Sequence, residues 1–410
     1  MVAFASRVPM RIGMLTTSYP RYSGDPSGCF VRDFAKSLAK RGHAVEVLVP
    51  DADDCNEDAA DTQLSIARIP VRYAWPRKSQ RLFYGAGVPD NLAQSPWLAP
   101  QLVSYAACLY GEAWRRAKRW DAVISHWALP CGLVASMLPR RLPHLAVCHS
   151  ADVHALTTMP LGASLRRFLR RRASAMWFVA PSHRDRFMAG GQFSDAVYTG
   201  PMGFSPVIHG TVPTTYRVQE KRRYLRAVTL SRLVRVKGLS TAIDAITAME
   251  DVELVIAGDG PERERLQEQA RGCSRIHFVG PLSGAAKAKH LVEADVFLLP
   301  SHRLPSGRSE GVPCALLEAM HMELPVIASD VGGVSSVVDH ERTGLLVAAG
   351  DVDALRLSLR RIGDDPALAA RLGNAAKLAV EPHAWGTLGE RIEALLFRPP
   401  TAAVSCSRER

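Results

Sequence analysis

Short apolar runs alternate along the chain with stretches of helical spacing, and polar, glycine-containing loops separate them. Residues 11–16, 45–49, 121–127 and 143–152 read as strands in the first half, the last two ending in polar tips. Residues 227–231, 252–257, 276–280, 296–301, 325–329 and 343–347 repeat the pattern in the second. Runs this short, rich in Val, Ile and Leu, suit strands covered on both faces, as in parallel sheets. Between the first two runs, residues 30–41 put Phe30, Phe34 and Leu38 on one helical face, and Gly42 closes the helix. Strand, loop, helix, strand is a βαβ unit. Residues 161–178 carry a second helical pattern, and 175–182 with 198–202 close the series. The polar, proline-containing segment 205–223 interrupts it before the βαβ pattern restarts. The chain therefore divides into an α/β domain at 1–205, a second at 206–384, an amphipathic helix at 385–397 and a tail at 398–410. Residues 51–120 show no regular pattern.

Length supports the division, since 410 residues exceed one typical core. No apolar run reaches the eighteen or so residues that span a bilayer, and residues 1–10 lack a signal-peptide core. The eight cysteines are scattered without C-x-x-C pairs, which reads as reduced cytosolic thiols rather than a disulfide frame or a zinc site. Net charge is +11, unevenly spread. Residues 1–200 hold 25 Lys+Arg against 15 Asp+Glu (+10), and residues 201–410 hold 26 against 25 (+1). A basic first half suggests an anionic partner. Within it, Arg166, Arg167, Arg170, Arg171 and Arg172 accompany Leu165, Phe168, Leu169 and Trp177, which reads either as a solvated helix or as attachment to an anionic membrane surface. No recognised nucleic-acid module accompanies the basic residues, so no nucleic-acid partner is expected.

The densest chemistry lies at 309–320. Glu310 and Glu318 stand eight positions apart, with Gly311, Val312, Pro313, Cys314 and Ala315 between them and a breaker-free run after Pro313. Gly311 permits close approach or an unusual φ, and Pro313 suits a first helical turn. The free N–H groups of a helix start make an anion site. One ligand could then meet a carboxylate at each end and amides in the middle, as a sugar nucleotide would; two solvated glutamates on a capped helix are the plainer alternative. Elsewhere, His126 and His149 end strands, the latter followed by Ser150, Ala151 and Asp152. Ligands gather at such ends in open α/β sheets. Arg232 and Lys237 follow another strand, before Gly238. Two D-x-D pairs, Asp51 with Asp53 and Asp351 with Asp353, follow strand ends and read as turn residues rather than metal ligands.

Together these segments resemble the retaining glycosyltransferases of the GT-B fold in family four, the exopolysaccharide-type group 1 enzymes. The E-x7-E stretch, the H-S-A-D segment at 149–152, the R-L…K-G loop at 232–238 and Gly258-Asp259-Gly260-Pro261 carry the resemblance. It implies two Rossmann-like domains facing across a cleft, an acceptor-binding one first and a donor-binding one second, with the terminal helix crossing back. Glu310 would contact the donor sugar and Glu318 the ribose hydroxyls, with His149 beside the sugar. Arg232 and Lys237 would hold the diphosphate beside the helix start at 311–315, and Val279 would lie by the nucleobase. Gly28 and His126 would fall on the acceptor side. Glu323 and Ser336 stand where the family usually has Gly and Glu, and Ser231 replaces a glycine.

The implied activity is transfer of a sugar from a UDP- or GDP-sugar to a hydroxyl of a lipid-linked or polysaccharide acceptor. It would proceed with retention and without metal or cofactor, in the cytoplasm or at the inner membrane face. An epimerase or phosphorylase on the same fold, and a non-catalytic sugar-nucleotide binder, are the alternatives.

Overall fold

The computed structural model describes residues 8–396 apart from 23, 26, 56–60, 62, 86, 190–195 and 207–223. Most of the segment between the two halves, and the whole tail, lie outside the described residues. The first sheet contains β1 (Arg11–Leu15), β2 (Ala44–Pro50), β3 (Ile66–Val71), β4 (Ala122–His126), β5 (His144–Cys148), β6 (Ala175–Phe178) and β7 (Val197–Thr199). The second contains β8 (Leu225–Leu230), β9 (Val252–Ala257), β10 (Ile276–Gly280), β11 (Val296–Leu299), β12 (Val326–Ser329) and β13 (Leu345–Val347). Every pairing is parallel. The inner strands are buried along their length, which is why they read as continuous apolar runs.

The strand orders are β3-β2-β1-β4-β5-β6-β7 and β10-β9-β8-β11-β12-β13. Each order reverses direction once, between β1 and β4 in the first sheet and between β8 and β11 in the second. At such a switch point the loops leaving two adjacent strands run to opposite sides and open a crevice. The loops after β1, β4, β8 and β11 are therefore where a ligand fits; His126 ends β4, and the other three loops carry Gly28, Arg232 with Lys237, and Glu310.

Two crossings join the domains side by side. The backbone N–H of Trp385 donates to the Phe204 carbonyl (3.1 Å), and that of Phe204 donates to the His383 carbonyl (3.3 Å). The helix Trp385–Leu396 then lies on the first domain, with Trp385, Leu388, Ile392 and Leu396 in the first sheet's core. The Trp385 ring stacks on Phe34 at 5.3 Å. Burying four such side chains is worth roughly 1.5–3 kcal/mol each. Glu393 fixes the helix further, accepting from Arg41 Nε (2.5 Å) and lying 3.1 Å from His43 Nε2.

Three sequence expectations need correcting. The helix expected at 161–178 spans only Gly162–Arg172, because Ala175–Phe178 are fully buried as β6, between β5 and β7. Trp177 is thus core and is no membrane-facing anchor, and Leu169 is buried too. Residues 51–120, which showed no pattern, hold β3 and the helices Val88–Gln94 and Ala99–Arg116. Gly311 does not use a positive φ. Glu323, by contrast, is left-handed (φ 59) at the end of the Cys314–His321 helix, in a glycine conformation that costs another residue on the order of 1 kcal/mol. Its carboxylate meets Lys377 Nζ at 2.6 Å.

Candidate active site

The loop leaving β11 brings Glu310 to Lys237 of the loop leaving β8: Lys237 Nζ lies 2.6 Å from Glu310 Oε2, with side chains 11% and 16% exposed. Two glycine-dependent turns set this pair. After the short helical turn Arg235–Lys237 the chain reverses through Gly238 (φ 61), where an added Cβ would stand 1.9 Å from the Pro300 carbonyl oxygen. Under Glu310 lies Gly332 (φ 62), where a Cβ would stand 1.9 Å from the Glu310 carbonyl oxygen, while the Gly333 N–H donates to that oxygen at 3.2 Å. Only glycine permits either backbone approach. The cation and the carboxylate are therefore fixed by backbone, not left to side-chain choice.

Beyond Glu310 the chain enters the helix Cys314–His321, with Pro313 as its N-cap residue rather than inside the first turn. Gly311, Val312 and Ala315 line this start, and Cys314 Sγ donates to the Gly203 carbonyl (3.7 Å) at the domain crossing. Burial pushes the Cys314 thiol well up, with Glu318 and Asp33 adding to it, so it is a protonated packing group. Glu318, two turns along the same stretch, is buried and accepts from Lys287 Nζ at 2.7 Å. Lys287 belongs to the helix Gly284–Glu293, which carries no motif, and sequence reasoning passed over it.

From the first domain, the H-S-A-D segment opens the helix Ser150–Thr158. Asp152 Oδ2 accepts from the backbone N–H groups of His149 (3.2 Å) and Ala128 (2.5 Å), tying the loops after β4 and β5 to one carboxylate. Burial raises the Asp152 pKa to about 6 against those hydrogen bonds. Burial, with the neighbouring His183, lowers the His149 pKa to about 3, so its imidazole is neutral at neutral pH. His126 lies behind it, fully buried against Phe34, its Nδ1 3.4 Å from His149 Nε2. Its placement fits support of the His149 ring rather than a cleft surface. His183, on the helix Pro181–Met188, is a histidine that sequence reasoning missed. Its ring comes within 3.9 Å of where a Gly311 Cβ would be; burial and Arg186 lower its pKa to about 4 against the opposing charge of Glu310.

Several contacts close the two domains around this point. Ser150 Oγ donates to the Ser309 carbonyl (2.7 Å) and Ser182 Oγ to that of Gly332 (3.3 Å). Arg308 grips Asp90 with both terminal nitrogens, at 3.0 and 2.8 Å. Arg232 is exposed and reaches across to Gly87, where an added Cβ would lie 2.8 Å from its Nη1. Gly28 is the left-handed N-cap (φ 64) of the helix Cys29–Ala39, packed against the Ser18 backbone. Val279 is partly exposed on β10, an edge strand, away from the Lys237–Glu310 pair. Of the D-x-D residues, Asp51 is buried and gripped by Arg77 (2.6 and 2.9 Å), and Asp351 caps a helix through Ala354 N (2.8 Å).

Two parallel-sheet domains with switch-point loops facing across a cleft form the GT-B fold. Residues 28–197 match the family described as "Glycosyl transferase 4-like domain", and residues 216–379 match "Glycosyl transferases group 1". The chain belongs to the group 1 glycosyltransferases. It is 28% identical over 370 residues to the teichuronic acid biosynthesis glycosyltransferase TuaC of Bacillus subtilis (strain 168), covering 86% of this chain and 89% of that one. It is also 28% identical over 264 residues to the GDP-mannose-dependent alpha-(1-6)-phosphatidylinositol monomannoside mannosyltransferase of Mycobacterium tuberculosis (strain ATCC 25618 / H37Rv), covering 60% and 68%. Among solved structures, Anabaena Alr3699/HepE in complex with UDP-glucose superposes with a TM-score of 0.71 at 19% identity, over 95% of this chain and 100% of that one.

Proposed function

We propose that this enzyme transfers a sugar from a UDP- or GDP-sugar to a hydroxyl of a lipid-linked or saccharide acceptor, with retention and without a metal. The observation that carries the reading is the Lys237–Glu310 pair at 2.6 Å, with His183 in the field of Glu310 and His149 in turn beside His183. In a sugar diphosphate the sugar ring and the phosphates are joined at one oxygen. A carboxylate for the sugar hydroxyls and a cation for the phosphate must then lie side by side. In the reaction the acceptor oxygen bonds to the anomeric carbon on the face the diphosphate leaves, the carbon–oxygen bond to phosphate breaks, and the acceptor proton passes to the leaving phosphate. Negative charge grows on the diphosphate, where Lys237, Arg232 and the amides at the Cys314 helix start stabilise it. His149, neutral, can hydrogen-bond a sugar hydroxyl without adding charge. The names of the relatives include a GDP-mannose donor and a phosphatidylinositol acceptor, and one of the structures holds UDP-glucose. Those ligands support the proposed donor and acceptor classes.

Incubation with a panel of labelled UDP- and GDP-sugars and membrane extract tests the reading. A glycosylated product of unchanged anomeric configuration is expected, and free epimerised donor or sugar phosphate would overturn it. Excess EDTA is expected to leave that activity intact, because the diphosphate charge is met by Lys237 and Arg232 while Asp51 and Asp351 are engaged by Arg77 and a helix start. Loss on chelation with rescue by Mn²⁺ or Mg²⁺ would count against metal independence.

A lipid-linked acceptor places the first domain at a membrane surface, and no helix among the described residues is long and apolar enough to cross one. The arginine helix supports such docking less than its sequence suggests. Arg166 donates to the Phe187 carbonyl (2.6 Å), and Arg172 to those of Ser136 (2.6 Å) and Leu138 (2.7 Å). Its exposed face is Arg167, Phe168 and Arg171, with Leu161 beside it. A second exposed apolar group adds to it. Trp75 (81% exposed) sits in a loop with Arg72, Arg77, Lys78 and Arg81, which is hydrogen-bonded to the first turns of the Ala99–Arg116 helix, near the exposed Trp97 and Val103. Tryptophan beside cations suits an anionic interface. Sedimentation is expected with anionic but not neutral vesicles, weakening as the Debye length falls to roughly 3 Å at 1 M salt. Trp75→Ala with Trp97→Ala, or Arg167→Gln with Arg171→Gln, should reduce it; equal binding to both lipid types would reject membrane docking.

A further inference from the structure

The Lys287–Glu318 pair lies within the second domain and faces the helix Cys29–Ala39 of the first. Lys287 Nζ lies 2.7 Å from Glu318 Oε1, with the side chains 27% and 11% exposed. The charged and titratable groups facing the pair are few. From the helix Cys29–Ala39 of the first domain come Asp33 and Cys29, and from the start of Glu318's own helix comes Cys314. Asp33 is in turn flanked by Lys36 and Arg32 and hydrogen-bonds Ser205. Two carboxylates, one from each domain, therefore share the field of one lysine. Burial pushes the Glu318 pKa up, Lys287 opposes that, and Asp33 adds to it. A buried carboxylate without its cation would take up a proton, and a protonated carboxyl is a poorer acceptor for sugar hydroxyls.

We propose that Lys287 is a positioning residue of the donor site, holding the Glu318 carboxylate charged and in place for the vicinal hydroxyls of the donor's ribose. The inference rests on the reading that Glu318 contacts that ribose. Lys287 takes Oε1, which leaves Oε2 to accept from the nucleoside. The same lysine lies in the field of Asp33, so the acceptor-domain helix helps fix the nucleoside end of the donor. A lysine serving only to hold the domains together would affect melting temperature but not the pH dependence of nucleotide binding.

The test measures UDP and GDP binding to the full chain by calorimetry from about pH 6 to about pH 9, a range that brackets a carboxyl raised by burial. The wild type sets the baseline, varying only as the nucleotide's own terminal phosphate (second pKa about 6) ionises at the acid end. Lys287→Met should bind about tenfold or more weakly at the acid end and recover as pH rises, because removing the cation raises the Glu318 pKa further and the carboxylate reappears only at higher pH. Lys287→Arg should restore the wild-type profile. Glu318→Gln should bind weakly at every pH, and adding Lys287→Met to it should cost nothing more. If Lys287→Met does not fold, Lys287→Gln takes its place with the same expectation. A folded, uncharged variant with wild-type affinity and pH profile would overturn the role of Lys287 while Glu318→Gln still bound weakly. Wild-type binding by Glu318→Gln would instead remove the ribose reading, and this inference with it.

Discussion

Lys237→Ala is expected to lower turnover by about two to three orders of magnitude while the protein remains folded. Lys237 is fixed by the Gly238 reversal and held 2.6 Å from Glu310, so the cation is aimed before substrate arrives. Its interaction with the diphosphate strengthens as the sugar departs and negative charge grows there. Loss of such a preorganised donor typically removes about 10²–10³ in kcat. Because the ground-state diphosphate is also charged, KM for the donor should rise too, and kcat/KM should fall more than kcat alone. Arginine carries the charge on a bulkier fork, so Lys237→Arg should recover only part of the loss. Steady-state kinetics on protein with an unchanged circular dichroism spectrum decides the matter, and near-normal kinetics in a folded Lys237→Ala would remove the lysine from the mechanism.

Gly332→Ala should be as damaging although residue 332 has no side chain to offer a substrate. Its φ of 62 is strained for alanine, and the new methyl would stand 1.9 Å from the Glu310 carbonyl oxygen. The atoms it would meet are backbone, so no rotamer relieves the clash and the turn carrying Glu310 must shift relative to Lys237. A displacement of about 1 Å at a reacting centre can cost about 10²-fold in rate. The strain itself is worth about 1–2 kcal/mol, which a chain of this size survives. Activity should therefore collapse with only a modest drop in melting temperature. Gly386→Ala is the control: it lies in the terminal helix with nothing within 4 Å of the added Cβ, and it should leave activity unchanged. Equal kinetics for both variants would show that the Glu310 turn tolerates displacement.

The departures from the family pattern at 323 and 336 fall outside this pair. Glu323 ends its helix with two backbone bonds, Leu324 N–H to the Ala319 carbonyl (3.1 Å) and its own N–H to that of Met320 (3.0 Å). That closure needs a left-handed residue, not a particular side chain. Ser336 Oγ donates to the Gly333 carbonyl at 2.6 Å, one residue from the turn that supports Glu310.

The sequence by itself determined the parallel α/β character, the break between two βαβ series and the local chemistry at 232–238, 309–320 and 149–152. These features are local. A strand buried on both faces must be apolar throughout, a reversing turn needs glycine, and a helix start advertises itself within a few residues. The tertiary structure alone decided which of these segments meet. Lys237 and Glu310 are 73 positions apart, and only the strand order that sets β8 beside β11 joins them. Lys287, Asp90 and His183 sit in segments without motifs, and their roles come from partners in distant elements. The arginine helix shows the converse. Its charges read as a solvated or membrane-facing side, yet Arg166 and Arg172 donate to carbonyls of neighbouring segments that no local pattern could supply. Periodicity records the environment of a residue's own element, whereas a charge pair across a cleft depends on how two elements are placed, and that is set by packing over the whole chain.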